Sequence, residues 1–267
     1  MFWHNGELTD VVAVSDRSFQ YGDGCFTTML TKQGRIEHWC YHVERMEACL
    51  NVLAIPLPDW DTISLWLQQA MLADDKAGLK LHISRGQGGR GYSPANLLHP
   101  DVTISHFSYP AHYAAWQQEG IRLGVCHHRM GLNPMLAGHK HNNRLEQVLL
   151  KAEMDQAGYA DGVCLDLNQH VVETTMANLF WRKGDTLYTP DLSNSGVAGV
   201  ARRLIVEQAP DLGLNLESGT FKLDHLADAD EVFISNAIME TAPVIEIGGR
   251  AYPIGHYTRR FQESFHS

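Results

Sequence analysis

The chain has 267 residues, enough for one large domain or two modest ones. Hydrophobic residues make up 44% and charged residues 19%, the balance of a globular protein with material for a sizeable core. A formal net charge of -10 argues against a general nucleic-acid binder, which needs a basic face, while leaving room for a local basic pocket.

The opening Met1-Phe2-Trp3-His4-Asn5-Gly6 has no basic stretch ahead of an apolar one, so no secretory leader is expected. No apolar run approaches the roughly 18 residues of a membrane span. Cysteines at 25, 40, 49, 126 and 164 are scattered, with no C-x-x-C, which suits reduced thiols in a cytoplasm. Among 15 histidines only His38 and His42 stand at a helical i, i+4 spacing, and no acidic third ligand follows them. No metal is expected.

In chain order, Asn5-Gly6 marks a turn, and Val11-Val12-Ala13-Val14 has strand character. Asp16 to Gly24 is turn-rich, and Cys25 to Leu30 returns to strand. From Trp39 to Leu53 the pattern is helical, with His42, Met46, Cys49, Leu50 and Leu53 on one face. A second helix runs from Trp60 to Ala73. Leu79 to Ser84 is a strand that enters Arg85-Gly86-Gln87-Gly88-Gly89-Arg90-Gly91-Tyr92. That loop contains G-x-G-x-x-G, but Ser93-Pro94 follows where a dinucleotide fingerprint requires a helix. A glycine-rich loop with two guanidinium groups suits a carboxylate clamp better, the plain alternative being a flexible surface turn.

Val102 to Phe107 is the next strand. Residues 109–120 read as a connector, so the predicted boundaries are 1–108, a linker 109–120, and 121–267. The second part opens with strand Ile121–Val125 and carries a helix over about 142–157. Strands follow at 162–166, 171–173, 178–181 and 187–189, then a helix from Val200 to Gln208. A helix at 223–229, strands at 231–235 and 244–247, and a last helix from about Gly255 complete the chain. The fold class expected is mixed α+β with largely antiparallel sheets in both parts.

Lys140 stands out within Gly138-His139-Lys140-His141-Asn142-Asn143-Arg144-Leu145-Glu146. Leu145, Val148, Leu149 and Ala152 repeat at i, i+3, i+4, i+7 and form an apolar helix face. Asn142 or Asn143 is placed to cap that helix, with Glu146 in support. Lys140 then falls beside the positive end of a helix dipole, which favours the neutral, nucleophilic amine. An ordinary surface lysine is the plain alternative.

Several segments together carry a resemblance. They are Tyr21-Gly22-Asp23-Gly24-Cys25-Phe26-Thr27-Thr28, His42-Val43-Glu44-Arg45-Met46, the loop 84–92, Leu136 to Gln147, Val172 to Trp181, Gly199-Val200-Ala201-Arg202, and Ile234-Ser235-Asn236-Ala237. The chain resembles the two-domain fold-type IV pyridoxal-phosphate enzymes, which include branched-chain and D-amino acid aminotransferases. The resemblance implies pyridoxal 5'-phosphate as cofactor, Lys140 as the lysine that condenses with its aldehyde, and Glu173 facing its pyridine nitrogen. It further implies that Arg45, the backbone amides of Val200 and Ala201, and those of Asn236 and Ala237 hold the cofactor.

Members of this group differ in what faces the cofactor. The aminotransferases usually carry Glu after the aromatic residue that ends the glycine turn, whereas here Phe26 is followed by Thr27-Thr28. That matches members that cleave 4-amino-4-deoxychorismate to 4-aminobenzoate and pyruvate. Thr28, on the Phe26 side of the strand, is then a catalytic candidate. Arg90 is the first candidate for a substrate carboxylate, with Arg85, Tyr109 and Phe26 beside it. The resemblance also implies a homodimer. The competing readings are an aminotransferase for D- or branched-chain amino acids, a non-catalytic cofactor carrier, and an interaction module.

Overall fold

The computed structural model describes residues 1–95, 97 and 99–265. They form two units, 1–109 with 139–144, and 110–138 with 145–265. The exchange at 139–144 is invisible to a composition-based boundary, because that short segment leaves one unit's chain run to join the other.

In the first unit alternation builds the sheet. Strands β1 (Phe2–His4), β2 (Glu7–Leu8), β3 (Gly24–Lys32), β4 (Arg35–Ile36), β5 (Lys76–Ser84) and β6 (Asp101–Ser108) are ordered β2-β1-β6-β5-β3-β4. Every neighbour pair is antiparallel. On β3, Cys25, Thr27 and Met29 are buried while Phe26 and Thr28 are partly open, as a period of two demands. Helices α1 (Arg17–Tyr21), α2 (Trp39–Val52) and α3 (Trp60–Ala70) precede β5. His42, Met46, Cys49 and Leu50 of α2 join Ile63 and Leu67 of α3 over Met29, Leu79 and Leu81. Burying a Leu or Ile of this kind contributes about 1.5–3 kcal/mol relative to leaving it exposed.

In the second unit, α4 (His112–Glu119) comes before β7 (Ile121–Met130) and α5 (Leu145–Gln156). Strands β8 (Asp161–Asp166), β9 (Val171–Thr174), β10 (Asn178–Lys183) and β11 (Thr186–Pro190) follow, then α6 (Val200–Gln208) and β12 (Asn215–Gly219). Strands β13 (Glu231–Asn236), β14 (Glu240–Ile247) and β15 (Arg250–Ala251) and helix α7 (His256–Ser264) finish the unit. The sheet runs β12-β11-β10-β13-β14-β7-β8-β9, with β15 on β14. Three of its pairs are parallel, β11–β12, β14–β7 and β7–β8. Trp181, Leu179, Ile234 and Val244 centre its core. Among the described residues no helix is long and apolar enough to cross a membrane.

Several expectations change. Val11–Val14 is irregular and outward, with Val14 77% exposed, because its β-branched residues find no neighbouring strand to pair with. The predicted connector contains α4, held down by Tyr113 and Trp116 against the core. Residues 223–226 form a 3₁₀ turn.

Helix α5 begins at Leu145, later than predicted, and the two asparagines do not cap it. Asn142 Nδ2 donates to Ser18 Oγ and Asn143 Nδ2 to the Gly22 carbonyl, while Glu146 Oε1 accepts from Gly131 N–H. Its predicted apolar face points outward, with Leu145 70%, Val148 60% and Leu149 56% exposed. Leu150 and Met154 turn inward instead. The reason lies in the sheet: Gly124 and Gly162 are cross-strand partners, and a Cβ on either would lie 2.6 Å or 2.2 Å from Met154 Sδ. The paired glycines form a socket that selects the Met154 side of the helix.

The glycine loop is organised by a charge cluster. Asp23 Oδ2 accepts from Arg17 Nε at 2.8 Å and Arg85 Nε at 2.7 Å, and Oδ1 accepts from Arg85 Nη2. The remaining Arg85 donors meet the Leu53 and Ala54 carbonyls. Arg17 reaches the carbonyls of Gly91, Tyr92 and Ser93. Burial pushes the Asp23 carboxyl up, but the hydrogen bonds and charges of Arg85 and Arg17 outweigh it and hold it below the usual carboxylate range. A depressed carboxyl stabilises the fold above its unfolded pKa of about 3.9 and loses that contribution as pH falls through the folded value. Arg85→Leu is expected to cost about 3 kcal/mol in urea unfolding at pH 7, because it strips a partner from a buried charge. The difference from wild type shrinks as pH falls below that of Asp23 ionisation.

Candidate active site

The first group of site residues is built on the open edge of β3. Strand β4 pairs only with Thr31 and Lys32, so residues 24–26 lack a neighbour on that side. The segment 140–142 fills the gap: Phe26 N–H donates to the Lys140 carbonyl at 3.0 Å, and Asn142 N–H to the Gly24 carbonyl at 2.9 Å. Gly24 is required there, since a Cβ would stand 2.1 Å from the Ile83 carbonyl oxygen and 2.6 Å from Asn142 Nδ2. Arg144 braces the segment from within, donating from Nε to the His141 carbonyl and from Nη2 to the His139 carbonyl, both at 2.8 Å. Lys140 thus sits between two anchored carbonyls, with Nζ 4.7 Å from the centre of the Phe26 ring.

This corrects the reading of Lys140 as a helix-terminus lysine. Four residues separate it from α5, and a strand-like seam rather than a helix dipole places it. Neither the role of Arg144 nor the seam follows from local sequence, because the asparagine side chains bond across the chain instead of capping the helix. His141 is pushed down to about 4 by burial, then by the charges of Arg144 and His139, and stays neutral near pH 7.

On the other face of β3, Thr27 Oγ1 lies 2.6 Å from His42 Nδ1 and accepts from Arg45 Nη2. Burial, with the Arg45 and His38 charges, holds His42 well below its ordinary value, so the ring is neutral. The threonine hydroxyl can donate to His42 while accepting from Arg45, which uses both of its roles. Arg45 is itself desolvated: burial lowers it to about 10, opposed by Cys25 and Cys49 and aided by Arg144. Its Nε is buried without a hydrogen-bond partner. Among the described residues no carboxylate pairs with it. Thr28, the expected catalytic residue, lies on the Phe26 face opposite Lys80.

The remaining candidates of this unit divide. Arg85 is withdrawn as a carboxylate clamp, because Asp23 and two carbonyls already occupy its guanidinium. Arg90 is exposed on the loop that Arg17 grips. The Tyr109 ring lies 5.4 Å from Lys76 Nζ.

The second unit carries the other group. Glu173 is buried on β9, opposite Cys164 of β8, and its Oε2 accepts from Val197 N–H at 2.9 Å. The turn at 196–199 is fixed on three sides. Gly138 pairs with it through Gly138 N–H to the Gly196 carbonyl and Ala198 N–H to the Gly138 carbonyl. Asn178 donates to the Val197 carbonyl and accepts from Gly199 N–H. Gly196 has φ of 87°, and a Cβ there would lie 2.7 Å from Val172. From this turn α6 starts with no side-chain cap and no acid in its first turn, so the N–H groups of Val200 and Ala201 lie at an uncapped helix start.

Two further features were not legible beforehand. Asp161 is wholly buried and supports the turn after Glu173, accepting from Thr175 N–H and Oγ1; burial raises its pKa despite the hydrogen bonds. Asn236, expected to offer an amide, uses its carboxamide oxygen to cap Ile238 and Met239 N–H in the turn that contains Ala237.

A model of the amino-transferase class IV family matches residues 24–247. The chain is 55% identical over 266 residues to the aminodeoxychorismate lyase of Vibrio harveyi, covering 98% of each. Its fold is similar to the crystal structure of 4-amino-4-deoxychorismate lyase from Pseudomonas aeruginosa, with TM-score 0.93 and 38% identity over 99% of this chain and 97% of that one. It is also similar to the branched-chain amino acid aminotransferase of Escherichia coli, with TM-score 0.86 and 26% identity over 99% and 92%.

Arg144→Met keeps the length of the side chain and removes its donors. The amides of Phe26 and Asn142 are expected to exchange with deuterium roughly tenfold faster or more, the loss of about 1.4 kcal/mol of local stability, with the β5–β6 amides unchanged. Unchanged exchange at both positions contradicts the bracing role.

Proposed function

The chain belongs to the amino-transferase class IV family, and on that premise we propose that it converts 4-amino-4-deoxychorismate to 4-aminobenzoate and pyruvate with pyridoxal 5'-phosphate as cofactor. The near-complete match to the Vibrio harveyi lyase carries this reading. The residues fit the cofactor. A half-buried arginine with a buried, unbonded Nε and no carboxylate partner among the described residues suits a phosphate, as does a helix start with no side-chain cap. A buried carboxylate at Glu173 suits a protonated pyridine nitrogen.

Bound, the cofactor supplies an aldehyde for the lysine and a protonated ring that accepts the electrons of a developing carbanion. Lys140 holds it covalently. Arg45 and the amides of Val200 and Ala201 bind its phosphate, and the turn at Asn236–Ala237 contributes further hydrogen-bonding groups. The amine of Lys140, once released, takes the proton from the amine-bearing carbon of the substrate. It later returns that proton to the departing enol-pyruvyl fragment, which becomes pyruvate. The carbon–oxygen bond to the ring breaks and the ring becomes aromatic. Atoms balance without water or a second amino acceptor. Phe26 packs beside Lys140 and keeps water from its amine, and Thr28 lies on the same side to meet substrate. Arg90, exposed on the glycine loop, is assigned one substrate carboxylate.

The five cysteines are free thiols, in keeping with a reducing cytoplasm. The outward apolar residues of α5 support a homodimer, since three large side chains at 56–70% exposure on one helix are costly in water.

The deciding assay is purified protein with aminodeoxychorismate and no keto acid. Equal amounts of pyruvate and 4-aminobenzoate over many turnovers are expected; turnover that begins only when a keto acid is added assigns the site to transamination. Lys140→Ala should lose the covalent cofactor absorbance and lower kcat by roughly 10⁴-fold or more. Val148→Asp should shift the molar mass measured by light scattering from dimer to monomer.

A further inference from the structure

One cation beside Phe26 has no part in that scheme. Lys80 lies on β5 directly across from Thr28. Its Nζ stands 4.7 Å from the centre of the Phe26 ring, the same distance as Lys140 Nζ. Lys32 and Lys151 have carboxylate partners in Glu37 and Asp155, but Lys80 has none among the described residues. Lys80 is exposed on the strand, and partial desolvation of its stem and head lowers its pKa. His82, two residues along the same face, is pushed down to about 4 by burial and by Lys80 itself, and at neutral pH it carries no charge. Lys80 is therefore the positive charge that β5 presents beside Phe26 and Thr28.

Contact with the ring alone is a partial account of this placement, because an exposed cation–π pair contributes only about 0.5–1 kcal/mol. The withdrawal of Arg85 into the Asp23 cluster also leaves a dicarboxylate substrate short of a cation on this sheet.

We propose that Lys80 receives one of the two substrate carboxylates and thereby orients the substrate ring over Phe26 toward Lys140. This rests on the lyase reading above. It makes Lys80 a substrate-binding residue that sets affinity for dianionic ligands, while proton transfer stays with Lys140.

The test uses the holoenzyme and two variants. Lys80→Met keeps an apolar stem on Phe26 without the charge, and Lys80→Arg keeps the charge. The probe is chorismate, which has the same carboxylates but a hydroxyl in place of the reacting amine, with its binding measured by calorimetry. Lys80→Met is expected to bind chorismate roughly tenfold more weakly or worse, and Lys80→Arg to stay within about threefold of wild type. In turnover, Lys80→Met should raise KM for aminodeoxychorismate by a similar factor and leave kcat within about threefold, with cofactor absorbance and melting temperature unchanged. Wild-type affinity and KM in Lys80→Met overturn the assignment, as does a loss confined to kcat. If wild type binds chorismate without converting aminodeoxychorismate, the lyase reading fails while the binding comparison still decides Lys80. If wild type shows no measurable chorismate binding, an unchanged KM in Lys80→Met is the overturning result.

Discussion

Two backbone hydrogen bonds govern the first group of site residues, Phe26 N–H to the Lys140 carbonyl and Asn142 N–H to the Gly24 carbonyl. A lysine side chain has four rotatable bonds and by itself holds no position. Here the main chain on either side of it is stitched to a sheet edge, and Arg144 fastens the carbonyls at 139 and 141. What freedom remains belongs to the side chain alone, and the Phe26 ring limits it. Gly24 and the short β4 are the conditions for this seam: one removes a Cβ that would collide, the other leaves the edge open.

The second unit solves a related problem with polar side chains. Glu173 and Asn178 both spend hydrogen-bonding capacity on the turn at 196–199. The turn is thereby rigid before α6 begins, and the helix start is left uncapped by any side chain. Asp161 does the same for the turn after β9. Asp161 accepts from the N–H and hydroxyl of Thr175, and Glu173 accepts from the Val197 N–H, which is how a low-dielectric interior tolerates such groups.

Much of this was readable in the sequence where periodicity and residue type act locally. Helix α2 and its buried face, β3, β5, β6, α6 and β13 follow from alternation or a 3.6-residue period. Lys140, Glu173 and Arg45 were identified through motif resemblance, and the family match agrees with the resemblance itself. What failed is instructive. The apolar stripe on α5 correctly indicated a helix but gave the wrong inward side, because the glycine socket for Met154 is formed by the two strands that flank the helix in sequence and exists only once they pair. Arg85 had the right chemistry for an anion and was already paired with Asp23, 62 positions earlier. Asn142 and Asn143 had the composition of caps and instead bond to residues more than 120 positions away. In each case a tertiary partner outcompeted a local rule.

The seam also has an order in time. Residues 24–26 leave the ribosome long before 140–142, and synthesis at 5–20 residues per second puts on the order of ten seconds between them. During that interval β1, β3, β5 and β6 have all their strand partners, yet the edge at Gly24–Phe26 has none. An open edge is a template for pairing with another chain. The segment that carries Lys140 is thus also the piece that closes the sheet, and a nascent chain stalled before residue 140 exposes the stretch of β3 that the finished protein covers.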